Sequence, residues 1–203
     1  MKQLTNDNAA NRASYVGSVY NVGEKVIKEE LLASFPSKWS DLHRKGYIHI
    51  HDLDAYGKTY NCLTFDILSS FPYEAFKGLS DTAIIIRLFG YFKTMFADMG
   101  NEQSGGMAFA NFDNDLEEIL RKLNVKDNLQ NRELIASCIG DFILWCNNTH
   151  TRMGQTSYYV TLNIGLARND LARFIAYSVI YEFEKCGETV YKQRRCQQMR
   201  GRA

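Results

Sequence analysis

A helix-dominated α/β fold is what this sequence predicts, on three observations. Long segments repeat apolar residues at helical spacing, as in Leu134, Ile135, Cys138, Ile139, Phe142 and Trp145. Short β-rich runs interrupt them, as in Tyr159–Val160–Thr161–Leu162–Asn163–Ile164. The order runs from helices to short strands, to long helices, then to a strand and a helix, with no internal repeat and no linker rich in Pro or Ser. With 203 residues, 45% hydrophobic and 23% charged, the chain suits one domain, or one and a half, and excludes whole-chain disorder.

Residues 1–12, with Asn6, Asp7, Asn8 and Asn11, read as a flexible N-terminal arm, and 13–191 as the folded body. A helix over about 15–34 presents Val19, Val22, Val26, Ile27 and Leu31 as its apolar face. Phe35–Pro36–Ser37 ends it, and a short helix follows to about Lys45, with Gly46 at its C′ position. Strict alternation over 47–54 predicts a strand, with Ile48 and Ile50 on one face and His49 and His51 on the other. A second strand or extended piece covers 60–68. Helices are expected over 81–99, 129–149 and 169–185, with Asp81 and Asn169 as N-caps. Phe174, Ala176, Tyr177, Ile180 and Phe183 supply the apolar stripe of the last helix. Residues 103–113 read as a glycine-containing turn followed by an apolar piece. The apolar faces over 81–99 and 129–149, including Phe89, Phe92, Phe96, Phe142 and Trp145, are expected to drive self-association.

The longest apolar-looking run, 83–92, contains Arg87 and is far below the roughly 18 residues of a membrane span. Residues 1–11 are polar and lack the apolar stretch of a secretory signal. The five cysteines, Cys62, Cys138, Cys146, Cys186 and Cys196, are odd in number and form no CxxC. Together these features point to a reducing cytoplasm rather than a disulfide framework or a cysteine-rich zinc site. Cys138 and Cys146, eight apart on a helical pattern, read as buried free thiols. Net charge is +1, yet 192–203 hold Lys192, Arg194, Arg195, Arg200 and Arg202 and no acid, leaving 19 basic against 23 acidic residues over 1–191. This basic tail has no aromatic residue, so it reads as solvated rather than as a nucleic-acid site.

Three segments hold residues suited to chemistry. His49 and His51, two apart on a strand, have the spacing to chelate a transition metal with Asp52 or Asp54 nearby, although hydrogen bonding to neighbouring helices and capping of a turn by Asp52 and Asp54 explain them better. Cys62, in Tyr60–Asn61–Cys62–Leu63–Thr64–Phe65–Asp66, is either a nucleophilic or redox thiol or a buried filler. Ser104–Gly105–Gly106 is either an anion-binding turn or a plain one, and no Lys-Ser/Thr follows to make it a P-loop.

Taken together, four blocks resemble a known family. They are the run from Gly46 through His49 and His51 to Asp54; Asn61–Cys62; Gly105–Gly106–Met107–Ala108–Phe109–Ala110–Asn111–Phe112–Asp113; and Gly154–Gln155–Thr156–Ser157–Tyr158–Tyr159–Val160–Thr161–Leu162–Asn163. In order and spacing they resemble the N-terminal part of the anaerobic (class III) ribonucleoside-triphosphate reductases, a glycyl-radical enzyme family, over about 13–183.

The resemblance implies a ten-stranded α/β barrel of glycyl-radical type with helices outside, dimerised through helices of this part. It implies replacement of the ribose 2′-hydroxyl of a ribonucleoside triphosphate by hydrogen. In the family a C-terminal glycyl radical, installed by a radical-SAM activating enzyme, generates a thiyl radical on a mid-chain cysteine. Formate is the usual reductant, and a second cysteine on an early barrel strand takes part. Cys62 matches that early-strand cysteine, and a rigid strand is what aims a thiol at a substrate. His49, His51, Asn61, Gly105, Gly106, Asn111, Thr161 and Asn163 become substrate-pocket candidates, and Lys126 the candidate for an allosteric nucleotide. Ser80 and Ala83 stand where some relatives carry charged residues.

The thiyl cysteine, the glycyl-radical loop and the C-terminal metal-binding cysteines of the family have no counterpart here, so no cofactor is expected in this chain. Residues 192–203 read as an off-pattern tail. The expectation is therefore an N-terminal fragment that is inactive by itself. The alternatives are a non-catalytic module pairing with a full-length reductase and a metal-dependent enzyme built on His49 and His51.

Overall fold

The computed structural model describes residues 15–57, 59–103, 105–151, 156–157 and 159–200. The expected arm over 1–12, Ser104, Gly154, Gln155 and Tyr158 lie outside the described residues.

The first helix, α1 (Tyr15–Ser34), is followed across Pro36 by α2 (Ser37–Arg44). Arg44 pairs with Glu29, and the Ser40 hydroxyl donates to the Leu32 carbonyl, so the two helices brace each other. Gly46 terminates α2 as expected. Its φ is +76°, its N–H donates to His43 O at 3.0 Å, and the Tyr47 N–H donates to Leu42 O at 2.9 Å. This paired-bond cap needs a left-handed residue at that position, which glycine adopts without steric cost.

The strand expected over 47–54 does not form. The segment is bends and turns, with Asp52 at φ +49° and the Ala55 N–H bonded to Asp52 O. The reason is local competition for donors. Ile48 N–H goes to Leu42 O, and Ile50 N–H goes to His43 Nδ1 at 3.1 Å, which takes two donors of one strand edge away from a partner strand.

After this turn come β1 (Leu63–Phe65) and a one-turn helix, α3 (Ile67–Ser70), capped by Asp66. A 3₁₀ turn at Tyr73–Phe76 leads to α4 (Asp81–Gly100). Then follow β2 (Met107–Phe109), α5 (Phe112–Lys122), α6 (Leu129–Asn148), β3 (His150–Thr151), β4 (Thr156–Ser157), β5 (Val160–Leu162) and α7 (Asp170–Arg200). Helix α5 is not anticipated from the sequence. Phe112, Leu116, Ile119 and Leu120 bury one helical face, with acids in its first turn and bases in its last, matching the helix dipole. Helix α7 also runs beyond its expected end at 185. Among the described residues, no helix is long and apolar enough to cross a membrane.

Strands β1, β2 and β5 form one parallel sheet in that order. Met107 pairs with Leu63 on one side and Val160 on the other, Ala108 with Thr64 and Thr161, and Phe109 with Phe65 and Leu162. Strands β3 and β4 form a separate antiparallel pair. Parallel strands need crossovers, which α4 supplies between β1 and β2, and α5 and α6 supply between β2 and β5. The α/β class and its helical bias are thus observed.

One face of the sheet packs on the helices. Phe92 and Phe96 of α4, Phe109 of β2, Phe112 of α5 and Phe142 of α6 are all fully buried. Their rings meet at 5.0 Å for Phe92–Phe109 and Phe96–Phe109, and 5.7 Å for Phe109–Phe112 and Phe96–Phe142. These distances lie within the range of favourable aromatic pairs. Phe89, Phe92, Phe96 and Phe142 are therefore consumed by the chain's own core and are not a surface for self-association.

The uncovered apolar side chains lie elsewhere. On α1, Val19, Val22, Val26 and Ile27 are exposed, although periodicity marks them as a core face. On α7 the buried apolar residues among those described are Ala172, Ile175, Ala176, Val179 and Cys186, whereas Tyr177, Ile180 and Phe183 of the expected stripe are exposed.

Asn169 caps α7 as expected, accepting from Ala172 N–H at 2.9 Å. Asp81 does not cap α4. Ser80 does so, and Asp81 reaches across to accept from Lys126 N–H at 3.1 Å and Asn131 Nδ2 at 2.9 Å. Asn131, 5% exposed, also donates to Lys126 O at 2.8 Å, so one amide ties the start of α4 to the loop before α6. Asn131→Ala is expected to cost about 1–3 kcal/mol in a urea unfolding experiment, because a buried amide and its two hydrogen bonds are lost together. A loss below about 0.5 kcal/mol, the usual range of a neutral surface change, would contradict that account.

Candidate functional site

Side chains alternate across a strand, so the pairing decides which residues share a face. Phe65, Met107, Phe109, Val160 and Leu162 turn toward the helices and belong to or pack on the core, and the half-buried Leu63 shares their register. Thr64, Ala108 and Thr161 form the opposite face, where both threonines are exposed.

Backbone pairing continues this sheet upstream of β1. Tyr60 N–H donates to Glu102 O at 3.0 Å, Gly105 N–H to Asn61 O at 3.0 Å, and Leu63 N–H to Gly106 O at 2.9 Å. Across the second strand pair, Met107 N–H donates to Tyr159 O at 2.8 Å. Two residues before Thr64, Cys62 falls on the same open face and is exposed. Asn163, two residues after Thr161, is exposed there too, with its backbone bonded to Phe109 O and Phe112 N. Cys62, Gly106, Thr161 and Asn163 are thereby gathered on one uncovered sheet face. Thr64 and Ala108 join them. Sequence reading passed over these two, although counting by two from Cys62 leads to Thr64.

Gly105 is needed for a different reason. A Cβ there would sit 2.5 Å from Asn61 Oδ1 and 2.7 Å from Asn61 O, closer than side chains approach. Gly106 is less constrained, its added Cβ meeting Tyr159 O at an ordinary 3.5 Å.

At the carboxyl ends of the strands, the start of α5 pins the loop after β5. Asp113, 1% exposed, accepts from Gly165 N–H at 2.9 Å. Asn114 donates to Leu166 O at 3.0 Å and accepts from Arg168 N–H at 3.0 Å. Asn111, exposed, precedes α5 without capping it through its side chain. Burial, then the charges of Asp66, Glu118 and Asp113, push the Asp115 carboxyl above the usual range. Asp66 is held below it by the Ser69 and Leu68 N–H groups. Asp113 and Asn114 as loop anchors are not evident from the sequence, because their partners lie more than 50 residues away.

The histidines gather separately. His43, His49 and His51 line up with ring centroids 5.8 and 5.7 Å apart. His43 Nδ1 is occupied by the Ile50 N–H, and His51 Nε2 lies 3.4 Å from Asp52 Oδ1. Among the described residues, no group of three or more His, Cys, Asp or Glu is placed to hold a metal ion. Lys126 sits in the loop before α6, its side chain exposed and its N–H bound by Asp81.

Cys62, Cys138, Cys146 and Cys186 are free thiols in very different surroundings. Burial pushes the Cys146 thiol up to about 12. Cys138 is raised by burial and then by Asp141, and Cys186 by burial and then by Glu182. Only Cys62 of the four is exposed.

The fold is thus that of an α/β protein whose parallel sheet is packed by helices on one face and carries an exposed thiol, Cys62, just ahead of its first strand. A sequence model of the anaerobic ribonucleoside-triphosphate reductase family matches residues 7–198. The chain belongs to that family. The match takes in every element from α1 to β5, the Cys62 block and residues 192–198 of the basic tail. No individual curated protein matches the chain.

Proposed function

We propose that this chain forms the early part of an anaerobic ribonucleotide reductase active site, in which Cys62 takes part in reducing the ribose. The observation that carries the reading is the exposed thiol on the open face of the parallel sheet. A thiol donates a hydrogen atom more readily than other side chains, and a strand fixes its direction. Thr64, Thr161 and Asn163 offer hydroxyl and amide groups on that face for the sugar hydroxyls. The helices hold the opposite face, so the sheet stays rigid while this one is free to take a ribonucleoside triphosphate.

In the family, a glycyl radical supplies the oxidising equivalent that opens the reaction, and formate supplies the reducing equivalents. The segments that carry the glycyl and thiyl radicals have no counterpart within these 203 residues. We therefore propose that these residues alone are inactive, and that the open sheet is completed as a ten-stranded barrel in the assembled enzyme. A cytoplasmic homodimer, served by a radical-SAM activating enzyme and tuned by allosteric nucleotides, completes the proposal.

The test is an anaerobic assay with activating enzyme, formate and ribonucleoside triphosphates. The chain alone is expected to yield no deoxynucleotide. Product is expected when a glycyl-radical chain of the same family that lacks its own N-terminal part is added, and Cys62→Ser is expected to abolish it. Product from the chain alone, or undiminished product with Cys62→Ser, would overturn the reading.

A second reading, a non-catalytic module that pairs with a longer reductase chain, draws on the exposed apolar residues of α1 and α7. Under that reading Cys62→Ser leaves the partner's activity unchanged.

A further inference from the structure

We infer that Asn61 is a positioning residue for Cys62: its amide oxygen, seated against the bare Cα of Gly105, accepts the Cys62 S–H and holds the thiol in one rotamer on the open face. This rests on the assignment of Cys62 above and names the group that aims it.

Three observations carry the inference. First, Cys62 Sγ lies 3.6 Å from Asn61 Oδ1, within reach of an S–H···O hydrogen bond. Neighbouring side chains on an ideal strand point to opposite faces, so such a contact needs a departure from regular geometry. The backbone on either side stays paired, with Gly105 N–H on Asn61 O and Leu63 N–H on Gly106 O, while the regular ladder begins at Leu63. Second, the space beside the amide is shaped for it. A Cβ on Gly105 would stand 2.5 Å from Asn61 Oδ1, so a larger residue would displace the amide. Third, Gly105 is itself fixed. Its N–H donates to Asn61 O at 3.0 Å, and its carbonyl accepts from Gln103 Nε2 at 2.8 Å. Gln103 is 3% exposed and does not shift readily.

The consequence is orientational. An exposed cysteine otherwise samples all its staggered χ1 states, and hydrogen transfer between heavy atoms needs a narrow range of distance and angle. A bond to Asn61 selects one state before substrate arrives.

The experiment measures the three-bond Hα–Hβ couplings of Cys62 by NMR in the folded chain, with labelled cysteine and Cys62→Ser for assignment. Unequal couplings are expected in the unsubstituted chain, reporting one rotamer. Asn61→Ala should bring them to a common averaged value. Asn61→Asp, which keeps the acceptor oxygen, should leave them unequal. Gly105→Ala should average them by displacing the amide, and if that variant fails to fold, the two Asn61 variants decide. Unequal couplings in Asn61→Ala, or averaged couplings in the unsubstituted chain, would overturn the inference. A purely structural role for Asn61 would not separate Ala from Asp in this way. Turnover that survives Cys62→Ser would instead overturn the reductase assignment, so the two failures are distinct.

Discussion

Timed alkylation under native conditions is expected to label Cys62 first and to leave Cys146 unlabelled until the chain unfolds. Two effects act together. Cys62 is exposed, whereas Cys146 is 8% exposed and packed in the aromatic core. Burial also pushes the Cys146 thiol from 9.0 to about 12. Since thiolate is the reacting species, that rise alone lowers its reactive fraction about a thousandfold at neutral pH. Cys138 should be intermediate, because it is half-buried and its thiol is raised by burial and by Asp141. Peptide mapping over a time course reads all three. Equal rates for Cys62 and Cys146, or a protected Cys62, would remove the physical basis for a working thiol on the sheet face.

Phe92→Ala should destabilise the chain by about 3–5 kcal/mol, the usual cost of removing a buried aromatic ring. Phe92 is fully buried and its ring faces those of Phe89, Phe109, Phe112 and Phe142. It therefore touches α4, β2, α5 and α6 at once, and little can relax into the vacancy. A domain of this size has only about 5–15 kcal/mol in total, so the substitution removes much of the margin. Tyr177→Ala is the control, since Tyr177 is 66% exposed and surface changes usually stay within about 0.5 kcal/mol. Urea unfolding of both variants decides the point. Similar midpoints would mean that the ring cluster is not the centre of the core.

Local sequence signals determined much of this protein. Pro36 separates α1 from α2, Gly46 ends α2 and Asn169 opens α7, because each acts through its own backbone or its nearest neighbours. The stripe of Ile135, Ile139 and Phe142 specified the buried side of α6 for the same reason. Cys62 is legible as a candidate through its neighbouring residues and the order of the four blocks, and its position lies within the span matched by the family.

Other features were decided only by tertiary structure. The 47–54 alternation reads as a strand, yet a strand requires a partner, and the Ile48 and Ile50 donors are bound instead to Leu42 and His43. Asp81 read as a cap, but its carboxylate is spent on Lys126 and Asn131, some 45 and 50 residues away. The apolar periodicity of α1 was real, but periodicity reports only that a face is apolar and not whether anything covers it; Val22 is 67% exposed. The open face joining Cys62 with Thr161 and Asn163 depends on the parallel register between segments about 100 residues apart, which backbone hydrogen bonds between strands set and no local sequence signal encodes.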